Sequence, residues 1–226
     1  MASTDPPIPA DDALDLPSGP LGELFRAGRR QRLRPGTIVF VEGDVSGRVF
    51  LLLSGRLKIS SHSEDGRETV LGFRTRGEVL GELAAIDGEP HSASVTVTEP
   101  SEALVLQSDR FLAELRARPE VMLAMLRSVI VRLRDADRKR GEFAALSADG
   151  RIAERLVELA GAADRRHAGG PISFSITQAE LAGWVGCSRE AANKALNRLA
   201  DEGLVELRRG RITLMDVDRL RRRVAP

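Results

Sequence analysis

Two short stretches hold residue types whose spacing could do chemistry. The first, GELAAIDGEPHSASV, spans residues 81–95. It opens on Gly81, Glu82 and Leu83 and, after a proline, continues with His91, Ser92 and small residues. Glycine lets a ligand come close to backbone N–H groups, so the stretch has the makeup of a backbone-lined anion cradle. The side chain placed to meet an anion is His91, where arginine would bring a permanent charge and a planar fork. The second stretch, ITQAELAGWVGCSREAANKALNRLADEGLVEL, runs from Ile176 to Leu207. Within it Arg189, Glu190 and Lys194 fall on one face of a predicted helix that Ser188 would cap. Arginine can bind guanine O6 and N7 together, and glutamate can accept from cytosine N4. An acid on a phosphate-facing surface is costly unless it reads a base, so Glu190 sharpens this reading.

The elements that would position those residues are legible nearby. Thr177 and Glu180 form a T-x-x-E capping box that opens a helix running to about Val185. Gly186 ends it, and the second helix runs from Ser188 to about Glu202. Leu181, Val185, Ala192, Leu196 and Leu199 can face inward and fix the pair at an angle, which makes a helix-turn-helix. The following LVELRRGRITL reads as a hairpin with Gly210 at its bulge. Arg208, Arg209 and Arg211 at its tip would press on phosphates, giving affinity without sequence information.

Composition narrows the classes of function. The chain has 226 residues, and residues 1–110 hold 12 basic and 17 acidic side chains against 22 and 16 in residues 111–226. A basic C-terminal half points to an anionic partner there. Cys187 is the only cysteine, which excludes an internal disulfide, a cysteine-ligated iron–sulfur cluster and a multi-cysteine zinc site. A metal-dependent enzyme on a β-roll would need clustered ligands, but His62, His91 and His167 lack that spacing. No apolar run approaches the roughly 18–20 residues of a membrane span, and the acidic, proline-rich N-terminus is unlike a secretory signal. A cytoplasmic protein without membrane contact is expected, with residues 1–20 a disordered tail.

From about Leu21 to Arg110, short β-branched runs (TIVFVEG, RVFLLLSG, RLKISSH, TVLGF, SASVTVTE) are cut by glycine turns, the pattern of a β-roll or jelly roll. Asp65-Gly66 in SEDGRE suits a hairpin turn. Ser108 is expected to cap a lead-in helix, and Pro119 to start a long one reaching about Leu146. Met122, Leu126, Val129, Leu133, Ala136, Arg140 and Phe143 recur at heptad spacing, with Arg140 breaking the apolar seam. A helix about 40 Å long at ~1.5 Å per residue is too long for a small β-roll to cover. A second copy would bury the seam in a two-fold dimer.

With these residues in place, the chain over about residues 21–220 resembles the cyclic-AMP receptor protein/FNR family of bacterial transcription regulators, with an actinobacterial flavour. VGCSREAANKAL is similar to that family's recognition helix and GRIAERLVELA to its hinge-following helix. The resemblance implies an α+β fold: a cyclic-nucleotide-binding β-roll at 21–117, a dimerisation helix at 118–147 and a winged helix-turn-helix at 148–226. It implies a homodimer on a palindromic operator of double-stranded DNA, in contact with RNA polymerase, with the loop at 161–171 placed to touch it. Arg189, Glu190 and Lys194 fall on base-reading positions, Lys194 replacing an arginine. Thr177, Gln178 and Ser188 fall on phosphate-contacting positions.

The same resemblance makes Gly81, Glu82 and Leu83 the family's ligand cradle, and His91-Ser92-Ala93 its Arg-Ser-Ala phosphate step. The His91 departure removes a charge-assisted bond of about 1.5–3 kcal/mol. Ala136 and Asp137 stand where cyclic-AMP-binding members present Thr and Ser or Asn to adenine. Both ends of that ligand are therefore altered, and tight cyclic AMP binding is not expected. The pocket binds cyclic AMP weakly, takes another small molecule or nucleotide such as a cyclic dinucleotide, or stays empty. Other readings are a cyclic-AMP-responsive regulator of the usual kind and a sensor module acting on a protein partner.

Overall fold

The computed structural model describes residues 16–63, 66, 68–163 and 170–224. Residues 1–15 of the expected tail, Asp65 of the expected turn and residues 164–169 of the expected polymerase-facing loop lie outside the described residues. Residues 16–20, placed within that expected tail, are described. Leu16 packs against the core, and helix α1 (Pro20–Leu24) is already formed with its proline in the first turn.

After α1 and a 3-10 turn (Phe25–Ala27), eight strands form the β-roll: β1 (Arg29–Leu33), β2 (Ile38–Phe40), β3 (Arg48–Ser54), β4 (Leu57–His62), β5 (Glu68–Arg74), β6 (Val79–Leu80), β7 (Ser94–Val97) and β8 (Ser101–Gln107). A short helix, α2 (Glu82–Asp87), joins β6 to β7. The strands make two antiparallel sheets, ordered β1-β8-β3-β6 and β2-β7-β4-β5. Strand β3 shows why two cores arise. Its side chains alternate, so Phe50 and Leu52 fill the space between the sheets, while Val49, Leu51 and Leu53 face outward. The outward set is covered by α1, α3 (Ser108–Ala117) and the first turns of α4 (Pro119–Ala145) through Leu24, Phe111, Leu115, Val121 and Met125.

Ser108 does not cap α3. Gln107 holds the N-cap position without a side-chain bond, and the Ser108 hydroxyl is buried with no hydrogen-bond partner because Ser108 is already helical. Beyond α4 come α5 (Ala148–Ala163), β9 (Ile172–Phe174), α6 (Gln178–Val185), α7 (Arg189–Asp201), the hairpin β10 (Val205–Arg208) and β11 (Arg211–Leu214), and α8 (Val217–Val224). A third sheet, ordered β10-β11-β9, backs the helices around a core of Ile152, Leu156, Leu181, Leu196 and Leu220.

The two halves meet at the turn between α6 and α7. Gly186 has φ +68°, and a Cβ there would lie 2.8 Å from Cε2 of Phe143 near the end of α4. The Arg151 guanidinium lies 4.6 Å from the Phe143 ring centre and donates to the carbonyls of Leu146 (2.7 Å) and Val185 (3.0 Å). Gly186→Ala should cost about 1–2 kcal/mol, mostly from left-handed strain on a side-chain-bearing residue. The half-exposed Phe143 ring can swing away, so Phe143→Ala added on top should recover only a minor part. Urea midpoints of the single and double variants measure both quantities.

Candidate effector cradle and DNA-facing helix

Gly81 links β6 to α2 with φ +81°, and a Cβ there would lie 2.7 Å from both the Arg48 carbonyl oxygen and Cζ of Phe40. The residue is therefore required by packing as well as by conformation. Glu82, in the first turn of α2, is only 2% exposed. Its Oε1 accepts a hydrogen bond of 2.6 Å from Nη2 of Arg132 on α4. Arg132 did not emerge from the sequence, although its place one helical turn before Ala136 was a usable signal. Leu83 is exposed, as is Ser92.

His91 is 7% exposed, and its ring lies on Phe40 with centres 4.0 Å apart. Its Nε2 is 2.8 Å from the Ser46 hydroxyl. Its backbone is held too: the N–H donates to the Asp44 carbonyl at 2.9 Å, and its own carbonyl accepts from Gly43 at 2.8 Å. Burial pushes the imidazole pKa down, with Asp44 and Glu82 opposing. His91 is thus fastened to the segment 43–46 with its cationic form disfavoured by burial, and it lines an open cleft of about 220 Å³ with Phe40, Asp44, Ser46 and Arg48. Positive charge enters the cradle region from elsewhere. Arg74 on β5 lies close enough to Glu82 and Arg132 to feel both, and its burial lowers its pKa. Among the described residues no cluster could hold a metal ion.

On α4, Met122, Leu126 and Leu133 are exposed, Leu133 by 60%, together with Leu123 and Ile130. Val129 of the expected seam lies toward the β-roll side. It is half-buried against the β-roll core, because Val121, Met125 and Val129 follow one another at a helical spacing of four and turn the same way. Ile130 takes its place on the open face. Phe143, also on the expected seam, packs one side of its ring against Gly186 and Arg151 of its own chain and is otherwise exposed. Ala136 and Asp137 are exposed, and Asp137 pairs with Arg140 at 3.7 Å.

The DNA-facing element is built by its caps. The Thr177 hydroxyl accepts from the Glu180 N–H (3.1 Å), and the Glu180 carboxylate accepts from the Thr177 N–H (2.9 Å). Ser188 accepts from the Ala191 N–H at 3.1 Å. Buried Ala192, Ala195, Leu196 and Leu199 anchor α7 and leave Arg189, Glu190 and Lys194 exposed. Gln178 is half-buried at the start of α6. In the wing, Arg208 pairs across the strands with Arg211 and donates to Glu206 at 2.8 Å, while Arg209 is exposed at the tip.

A β-roll sensor joined by one long helix to a winged helix-turn-helix defines a DNA-binding regulator of transcription. Residues 30–118 match the family of the cyclic nucleotide-binding domain, and residues 150–223 that of the Crp-like helix-turn-helix domain. The chain is 32% identical to a CRP-like cAMP-activated global transcriptional regulator of Mycobacterium tuberculosis, over 83% of this chain and 84% of that one. It is likewise 32% identical to a cyclic AMP receptor protein of Thermus thermophilus, over 83% and 84%. The c-di-GMP-responsive global regulator CLP of Xanthomonas campestris has a similar structure, with 29% identity, a TM-score of 0.71, and coverage of 86% of this chain and 98% of that chain. The chain belongs to the CRP/FNR family of transcription regulators.

The buried ring of His91 makes a pH prediction. The folded state takes up its proton less readily than the unfolded chain, so the stability it supports is complete above the ordinary histidine value of 6.5 and falls as pH drops below it. In His91→Gln, the loss of denaturant midpoint between pH 7 and pH 5 should be smaller than in the parent chain.

Proposed function

We propose that this chain works as a homodimer that reads a palindromic operator and answers an effector other than tightly bound cyclic AMP. The observation that carries the effector reading is the commitment of His91: an imidazole buried on Phe40 and bonded to Ser46. Arginine at that position would offer two parallel donors and a charge to a cyclic phosphate, and this imidazole offers neither. Ala136 has no hydrogen-bonding group for a base, and the Asp137 charge disfavours a phosphate-bearing ligand. The matched domain and the cAMP-activated relatives support a cyclic-nucleotide type of effector, and the CLP relative supports a range of effectors on this fold. The nearby Arg132 and Arg74 can offset the Asp137 charge for an anionic molecule, and the c-di-GMP-responsive CLP relative supports a cyclic dinucleotide as the alternative to cyclic AMP. Residues 21–117 then form the sensor, 118–147 the dimer helix and 148–226 the reader.

The open stripe of Met122, Leu123, Leu126, Ile130 and Leu133 supports the dimer. A surface of that kind on a long helix is covered at low cost by an identical helix. In the dimer the two α7 helices would span one DNA turn, about 34 Å, with RNA polymerase as a further partner in the cytoplasm. Among the described residues no helix is long and apolar enough to cross a membrane. Arg189 and Glu190 would read bases with Lys194, while Thr177, Gln178, Ser188, Arg208 and Arg209 would meet phosphates.

Calorimetry against cyclic AMP and cyclic dinucleotides tests the effector reading. Cyclic AMP is expected to bind no tighter than micromolar, and sub-micromolar binding would overturn the proposal. Leu133→Glu should shift sedimentation from dimer to monomer. Arg189→Ala should cost about 1–3 kcal/mol of operator affinity and relax preference at one base pair, as read by binding to a randomised duplex library.

A further inference from the structure

Strand β5 is the edge of its sheet, and an open edge strand needs cover. Here the cover is α6, the first helix of the helix-turn-helix. Val70 of β5 belongs to the same buried cluster as Leu181, Trp184 and Val185. The Phe73 ring meets Trp184 edge-on, with centres 5.0 Å apart and planes at 80°. Gly183 of α6 lies directly on the strand, since a Cβ there would be 3.3 Å from the Glu68 carbonyl oxygen.

Charge completes the contact. Lys58 on β4, 8% exposed, places its Nζ 2.9 Å from Glu68 and 3.0 Å from Glu180. Glu180 is the capping-box residue of α6, so the carboxylate that orients the helix start is also the one that Lys58 holds. Burial opposes the Lys58 ammonium, yet the two carboxylates outweigh it and raise its pKa. Burial also opposes ionised Glu180, but the Thr177 N–H and Lys58 hold its pKa below the usual range. Arg56 donates to the Ser175 carbonyl at 3.2 Å just before α6. Removing one partner from such a buried set leaves uncompensated charge, which is far costlier than the intact set.

We propose that Lys58, clamped between Glu68 and Glu180 beside the Phe73–Trp184 contact, is a latch that holds the DNA-binding domain in its operator-reading pose on the β4–β5 hairpin. In this pose Arg189, Glu190 and Lys194 stand clear of the sensor. Lys58 also neutralises two carboxylates next to Thr177 and Gln178, where phosphates approach. Lys58 is a positioning residue: it sets the angle of α6 rather than touching DNA. The hairpin that carries it continues through Leu71 and Gly72 to Arg74 beside the cradle, so the sensor can act on the reader without relying on the hinge after α4 alone. The proposal rests on the operator-reading function described above.

Trp184 is the only tryptophan and the chain has no tyrosine, so intrinsic emission of the full-length protein reports this junction alone. The Trp184 Nε1 is buried without a hydrogen-bond partner, and opening the junction would hydrate it. In Lys58→Ala, emission should move to longer wavelength and acrylamide quenching should rise, with helical circular dichroism retained. Affinity for a palindromic duplex selected from random sequences should fall about tenfold, within the range for mutations that alter coupling between sites. Lys58→Arg should restore both readouts, and Glu180→Gln should shift both in the same direction as Lys58→Ala. The latch is overturned if Trp184 stays equally buried in Lys58→Ala and Glu180→Gln. It is also overturned if emission shifts while DNA binding is unchanged or tighter. Weaker DNA binding with unchanged emission would assign Lys58 to charge near the phosphates instead of to pose. If the parent chain binds no duplex, the operator-reading function fails, and with it the DNA arm; the emission arm alone then decides whether the junction is clamped.

Discussion

Side chains along α4 turn by about 100° per residue, and three partners are served by that one rotation. Val121, Met125 and Val129 turn toward the β-roll, Met122, Leu126, Ile130 and Leu133 turn away from it, and Arg132 reaches Glu82 at the cradle. Further along, Lys139 donates to Glu158 of α5 at 3.0 Å, and Glu142 accepts from Arg155. No face can be changed without rotating the others. A shift of this helix at the cradle is therefore also a shift of the open apolar stripe and of the reader's first helix.

In the candidate cradle, packing and charge hold different residues in place. Gly81 is held by the close approach of Phe40 and of the Arg48 backbone, a packing need that would persist with any ligand. Glu82 keeps its buried place because Arg132 neutralises it. The histidine, by contrast, has been absorbed into the aromatic pair of Phe40 and Phe50, whose rings meet edge-on at 5.4 Å. The position that the family resemblance assigns to the phosphate is here packed into the wall. Charge complementary to an anion now comes from the long helix and from β5.

Much of the reader was legible because its devices are local. The Thr177–Glu180 box, the Gly186 stop and the Ser188 cap each join residues a few positions apart, and all three form as their spacing implies. The β-roll was legible in outline, since glycine turns and β-branched runs mark most strands. Strands β1 and β8 were missed. RRQRL looks like a charged loop until Arg30 and Arg32 are seen to bond Glu102 on the neighbouring strand, at 2.6 and 3.1 Å. SEALVLQ is buried between β1 and β3, so it lacks the alternation that marks a half-exposed strand. Helix α8 was missed as well, its three consecutive arginines hiding the buried Leu220.

By itself the sequence determined the order of parts and the caps and turn of the helix-turn-helix. These follow from residue types and their spacing, which act over a few neighbouring positions and need no partner from elsewhere in the chain. Only the tertiary structure decided that Arg132 serves Glu82, that Val129 turns inward and Ile130 outward, that Phe143 packs on Gly186, and that Lys58 clamps Glu180. The partners in the last pair stand 122 positions apart. Their meeting depends on how a strand hairpin and a helix pack, and periodicity along the chain carries no record of which distant carboxylate a lysine will find.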